Sequence, residues 1–261
     1  MKETIGTIGF IGTGRIAGAV VEGLLRGERS APLHIVVSPR NAARAAELSA
    51  AFPTVSVAPD NQSVLDRSRT VFLCVRPQVA LDVLGRLRFA PRHAVISLIP
   101  LPAAVVRPCV APAERFVRAL PLPACARGLG AVPYWPAVGD AHALLSQLGR
   151  PLPLASEHEF SVLWAATALI APFYTLLETT ADWASANGTA PATAVDYIAA
   201  MFHALATDAL DGADDRFQAL AHEGATPGGL NEQALGMISA GGAYENFRAA
   251  LDAILHRITA A

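Results

Sequence analysis

The chain has 261 residues, 52% of them hydrophobic and 16% charged, and a formal net charge of −2. That length fits one large or two modest domains with ample material for a buried core. The small negative balance gives no reason to expect nucleic acid or an anionic membrane surface as a partner. Cys74, Cys109 and Cys125 form no CxxC pair and nothing resembles a secretion signal, so a reduced, cytoplasmic protein is expected.

An apolar strand, Thr4–Ile11, runs into Gly12-Thr13-Gly14-Arg15-Ile16-Ala17 and then into an apolar helix over Arg15–Arg26. Strand, glycine turn and helix start, in that order, hold a dinucleotide pyrophosphate. Gly12 permits the tight turn, Gly14 has no Cβ to block phosphates, and Ala17 lets helix and strand pack closely. The helix N-terminus presents unpaired N–H groups and a partial positive charge to the anion. Gly27 is the expected helix stop. A second strand, Leu33–Val37, completes the β-α-β spacing and ends in Ser38-Pro39-Arg40-Asn41, with Arg44 one helical turn beyond Arg40. An NAD-preferring site usually carries Asp or Glu there. A hydroxyl with one or two guanidinium groups suits a 2′-phosphate, so Ser38 and Arg40 predict NADP(H) over NAD(H).

Further strands are expected at Thr54–Val57, Thr70–Val75, Ala94–Ile99 and Phe116–Leu120. Helices are expected at Ala42–Ala51, Gln78–Leu87 and Ala103–Val110. Val- and Ile-rich strands alternating with helices imply an α/β fold, a Rossmann-like doubly wound parallel sheet covered on both faces. The ligand crevice then lies at the carboxyl edge of the strands, with Asn61 near the adenosine and Val75, Arg76 and Pro77 near the nicotinamide.

Pro151-Leu152-Pro153 reads as a connection between an NADP-binding domain, 1–153, and an all-helical domain, 154–261. Helical stretches there fall at 156–186, 191–211, 213–223 and 231–258, with breaks at Asn187-Gly188, Asp211-Gly212, Thr226–Gly229 and Gly241-Gly242. Phe160–Leu177 is uncharged but short and interrupted by polar residues, which fits an interface helix better than a membrane span. About a hundred residues of helix this apolar need a partner surface, so a homodimer is expected, higher assembly remaining open. Asp208, Asp211, Asp214 and Asp215 read as a solvated face, and no metal site is expected.

In that helical region Ala225-Thr226-Pro227-Gly228-Gly229-Leu230-Asn231 opens a helix. It reads equally as a simple cap or as a turn whose Gly228 and Gly229 amides bind a carboxylate. Together with Gly9-Phe-Ile-Gly12-Thr-Gly14-Arg-Ile-Ala17, Val75-Arg-Pro-Gln78, Val117-Arg-Ala-Leu-Pro121 and Pro172-Phe-Tyr174, this segment resembles the pyrroline-5-carboxylate reductase family. The family's corresponding runs are GFIGxGxMA, VKPQ, VRAMP, PAY and TSPGGTT, collinear over nearly the whole chain. The resemblance implies an NAD(P)H cofactor, helical domains interleaved into a dimer, and an active site between subunits. It also implies hydride transfer to a small cyclic imino acid, pyrroline-5-carboxylate giving proline.

On that footing Gly12, Thr13, Gly14, Arg15 and Ile16 hold the pyrophosphate. Gly228, Gly229, Leu230 and Asn231 form the substrate turn, and Thr226, Asn231 and Tyr174 are the candidates for polar catalytic work. No residue stands out as proton donor; a protonated imine is already electrophilic, so orientation supplies much of the rate. The departures cluster at the substrate side. Leu122-Pro123-Ala124 replaces NTP, Leu98-Ile99-Pro100 replaces an Ala-Gly strand end, and Leu230-Asn231 replaces two substrate-contacting threonines. Two other readings therefore stand: a reductase of another imine or ketone on the same scaffold, and a non-catalytic NADP-binding regulator.

Overall fold

The computed structural model describes residues 6–26, 32–211 and 217–260. Gly27, Asp214, Asp215 and the start of the first expected strand lie outside them. The chain divides into two compact units, Met1–Trp164 and Ala165–Ala260.

The first unit is built on eight strands: β1 (Ile8–Ile11), β2 (Ile35–Val37), β3 (Val55–Val57), β4 (Thr70–Leu73), β5 (Ala94–Ser97), β6 (Arg115–Ala119), β7 (Ala131–Trp135) and β8 (Arg150–Pro153). They line up as β3-β2-β1-β4-β5-β6-β7-β8. All neighbours run parallel except β6 and β7, which are antiparallel. The helices α1 (Arg15–Leu25), α2 (Ala42–Ala51), α3 (Asn61–Asp66), α4 (Pro77–Gly85), α5 (Ala103–Val106) and α6 (Ala141–Leu145) connect them.

Alternation along the strands fills two cores. Phe10, Phe72, Ile96 and Val117 belong to one buried cluster. Their neighbours Ile11, Val71, Leu73, Val95 and Phe116 belong to the other. A strand apolar on both sides is what a sheet covered on both faces requires. Phe10 and Phe72 stack across β1 and β4 with centroids 4.8 Å apart.

Several elements depart from the expectations, α6 among them. α3 is a short extra helix, capped by the Asp60 carboxylate accepting from the Ser63 N–H at 2.7 Å. β7 was not expected, and the segment expected to be a connection is β8. Its prolines are tolerated because β8 is an edge strand. Arg150 and Leu154 donate their N–H groups to Gly130 and Tyr134, both at 3.0 Å. Pro151 and Pro153 alternate with them, so their donor-less nitrogens face outward.

α7 (Glu157–Ala166) ends in a 3-10 turn at Thr167–Leu169, where a continuous helix was expected. Pro172 has no N–H to give, so it sits in the first turn of a new helix, α8 (Ile170–Ala186), where none is needed. Then come α9 (Pro191–Asp211), α10 (Phe217–Gly224), α11 (Leu230–Ala240) and α12 (Ala243–Thr259). The second unit's own buried cluster is small, Ala181, Ala194 and Ile198. Large apolar side chains on its helices stay exposed, among them Trp183, Tyr197, Leu210, Phe217 and Met237. Glu157–Ala186 is long and apolar enough to cross a membrane by length and composition, with a mean hydropathy of 1.7.

Candidate functional site

The carboxyl ends of β1, β2 and β4 come together around the glycine turn. Gly12 has φ +100°, and a Cβ there would stand 2.8 Å from the Cys74 carbonyl carbon and oxygen and 3.0 Å from the Val75 nitrogen. Glycine is therefore required by close backbone approach as well as by conformation. The Gly12 N–H donates to Ser38 Oγ at 2.8 Å, and the Asn41 side-chain amide donates to the Thr13 carbonyl at 3.4 Å. Ser38 is wholly buried, so its hydroxyl shapes the turn from beneath.

Three features of this turn suit a phosphate-bearing cofactor. Thr13 is buried, and its Oγ1 has no hydrogen-bond partner among the described residues. A Cβ on Gly14 would meet nothing described within 4 Å. α1 is preceded by Gly14, which offers no side-chain cap, and has no acidic residue in its first turn, leaving its positive end uncompensated.

Arg40 is exposed and has no carboxylate partner among the described residues. Arg44, considered as a second guanidinium for the 2′-phosphate, is committed elsewhere. It pairs with Glu22 at 2.7 Å and Glu47 at 2.9 Å, which raise its pKa. Asn61 begins α3 beyond β3. Val75 is buried, Arg76 is the exposed residue before α4, and Pro77 is that helix's first residue. Burial pushes the neighbouring Cys74 thiol up.

Beside the glycine turn, at the carboxyl ends of β5 and β6, lies a cavity of ≈ 220 Å³. It is lined by Ile16, Leu98–Pro100, Arg118–Pro121, Phe160 and Trp164. Ile16 belongs to the first turn of α1, so one helix start borders both places. Arg118, only 2% exposed, is the charged lining residue. Its Nη1 donates to Glu157 Oε1 at 2.5 Å, and the same oxygen accepts from the Ala103 N–H at 2.6 Å. The guanidinium carbon sits 4.3 Å from the Phe160 ring centroid and 5.8 Å from that of Trp164. Burial pulls the Arg118 pKa down while Glu157 opposes that shift. Arg118 lies in the run Val117–Pro121, where no role was expected of it. The available signal was a charge in the middle of the apolar strand Phe116–Leu120.

In the second unit the Ala225–Asn231 turn is closed on itself. The Gly228 N–H donates to Glu232 Oε2 at 2.7 Å, and the Gly229 N–H to the Thr226 carbonyl at 2.8 Å. Asn231 Nδ2 donates to the Gly224 carbonyl at 2.9 Å, while Thr226 and Leu230 are exposed. Tyr174 is an exposed residue of α8 beside Phe173, ring centroids 5.6 Å apart.

A family model described as NADP oxidoreductase, coenzyme F420-dependent, matches residues 7–100, and one described as pyrroline-5-carboxylate reductase dimerisation matches residues 157–260. By sequence alone no curated protein matches the chain. Among solved structures, the chain is similar to a 1-pyrroline-5-carboxylate reductase from Streptococcus pyogenes, with TM-score 0.85 and 20% identity over 98% of this chain and 99% of that one. A pyrroline-5-carboxylate reductase from Coxiella burnetii gives TM-score 0.82 and 23% identity over 98% of both chains. A pyrroline carboxylate reductase from Plasmodium falciparum with NADP bound gives 0.81 and 16% over 98% and 97%. These likenesses show the fold, and the two family matches follow one another along it in chain order. Residues 157–260 thus belong with the pyrroline-5-carboxylate reductase dimerisation domains, and residues 7–100 with the NADP oxidoreductases.

Proposed function

We propose that the protein is a cytoplasmic NADPH-dependent oxidoreductase acting on a carbon–nitrogen double bond, working as a homodimer through residues 154–261. The observation that carries this reading is the adjacency of an anion-binding turn and a cavity that share Ile16. The resemblance names pyrroline-5-carboxylate as the first substrate to test, and the NADP held by the Plasmodium falciparum relative supports the cofactor.

When bound, the cofactor supplies the hydride; the protein binds, orients and excludes water. Thr13 Oγ1 and the amides of Gly14, Arg15 and Ile16 would hold the pyrophosphate, with Gly12 and Ser38 fixing the turn's shape. Arg40 would hold the 2′-phosphate, Asn61 would border the adenosine, and Val75, Arg76 and Pro77 would border the nicotinamide. Thr226, Gly228, Gly229, Leu230, Asn231 and Tyr174 are proposed for the substrate side. An iminium carbon needs no nucleophile from the protein, so placing it against the reduced ring is the main catalytic task.

Two measurements test this. NADPH oxidation is followed at the reduced-nicotinamide absorbance band with a panel of cyclic imines; saturable binding with no turnover on any of them overturns the enzyme reading. Arg40→Asp is expected to weaken NADPH binding by roughly 10- to 100-fold, the size of a charge-assisted contact, and leave NADH nearly unchanged. Equal loss of both refutes the phosphate assignment.

A further inference from the structure

We infer that the substrate of this chain is a carboxylate-free imine carrying an apolar substituent, rather than an imino acid. The inference rests on the reductase reading above and narrows its substrate class.

Two separate places in the chain argue for it. The first is the turn that would receive a substrate carboxylate. A carboxylate would be recognised there by backbone N–H groups at a helix start. Glu232 is an acid in the first turn of α11, and its own carboxylate already accepts from the Gly228 N–H at 2.7 Å. The Gly229 N–H and the Asn231 amide are spent on the Thr226 and Gly224 carbonyls. An incoming carboxylate must displace a tethered one and sit beside it, like charge against like. The turn thus carries its anion internally.

The second place is the cavity beside the glycine turn. Ile16, Leu98, Ile99, Pro100, Leu120 and Pro121 give it aliphatic walls, and Phe160 and Trp164 give it aromatic ones. Its cation, Arg118, is matched by Glu157, which lies within hydrogen-bond distance of both Arg118 and the Ala103 N–H. Arg118 Nε has no hydrogen-bond partner among the described residues and is left for a neutral acceptor, whereas a carboxylate placed there would set a second anion beside Glu157. An alkyl or aryl group placed there gives up water at no such cost.

The test compares kcat/KM for three substrates on the purified full-length chain with NADPH: 3,4-dihydroisoquinoline, 2-methyl-1-pyrroline and pyrroline-5-carboxylate. The fused-ring imine is expected to exceed pyrroline-5-carboxylate by about 100-fold or more, as a site with no pairing for a polar group discriminates. Preference for pyrroline-5-carboxylate overturns the inference and leaves the reductase reading standing. Turnover of none of the three, with NADPH binding intact, overturns both. Glu232→Gln is expected to keep dihydroisoquinoline activity and raise kcat/KM for pyrroline-5-carboxylate about tenfold, by removing the like charge beside the Gly228 amide. A fall in pyrroline-5-carboxylate activity in that variant counts against the inference. Leu98→Ser is expected to raise KM for dihydroisoquinoline severalfold with kcat nearly kept; an unchanged KM removes the cavity from the argument and overturns it.

Discussion

A methyl group at position 12 would have to be carried at φ +100° and within 2.8 Å of the Cys74 carbonyl. Gly12→Ala is therefore expected to cost roughly 1–3 kcal/mol in backbone strain alone. It should abolish saturable NADPH binding in calorimetry, because β1 and β4 must part to make room. His93 gives a second expectation at this scale. It is buried, its Nδ1 accepts from the Ala90 N–H at 3.0 Å, and its Nε2 lies 3.2 Å from the Leu65 carbonyl. Burial lowers its pKa below the ordinary 6.5, with Arg92 adding to the shift and the Leu65 carbonyl and Asp66 opposing it. The unfolded chain then binds a proton that the folded chain refuses. Its contribution to stability is complete above pH ~6.5 and is lost as the pH falls through the lowered folded value. Thermal melts followed by circular dichroism should show Tm dropping on acidification from pH 7.5 to 5.5, and His93→Gln should shallow that slope. An unchanged slope would mean other groups carry it. The glycines and Arg40 could be read from the sequence because their chemistry is local. Arg118 could not be read in that way, since its acid and its aromatic partners lie about 40 residues downstream and meet it only in the fold.

The helices and strands were legible where their pattern answers to a single environment. α2 and α9 fall where apolar spacing and caps put them, and β1 to β6 stand out as Val- and Ile-rich runs. β8 was hidden because proline argues against a strand unless the strand is known to be at an edge, and edge position is a property of the whole sheet. β7 carries Pro133 and pairs antiparallel with β6, against the run of the preceding crossovers. The packing of α1 on the 3-10 turn Pro123–Arg127 yields an expectation at this scale. A Cβ on Gly23 would collide with the Cys125 carbonyl oxygen and press on Leu148. Gly23→Ala is expected to destabilise the first unit by about 1–3 kcal/mol in urea melts, the range for an overpacked contact. A neutral result would show that the turn shifts freely.

As a whole the molecule pairs a well-filled sheet unit with a helical unit that buries little of its own apolar surface. Trp183 on α8 and Tyr197 on α9 are 67% and 65% exposed. Single molecules seldom leave so much aromatic surface in water, and the match to a dimerisation domain over 157–260 supports the homodimer proposed above. Trp183→Asp combined with Tyr197→Asp is expected to halve the mass found by light scattering, with helix content kept in circular dichroism. A wild-type chain already monomeric at micromolar concentration refutes the expectation. Self-association of this kind is a risk unless other routes are closed, and β8 closes one. A foreign polypeptide seeking to lengthen the sheet at that margin would find pyrrolidine rings where it needs hydrogen to accept. Runaway fibrillar growth has no foothold at that edge, whatever covers the bare apolar helices.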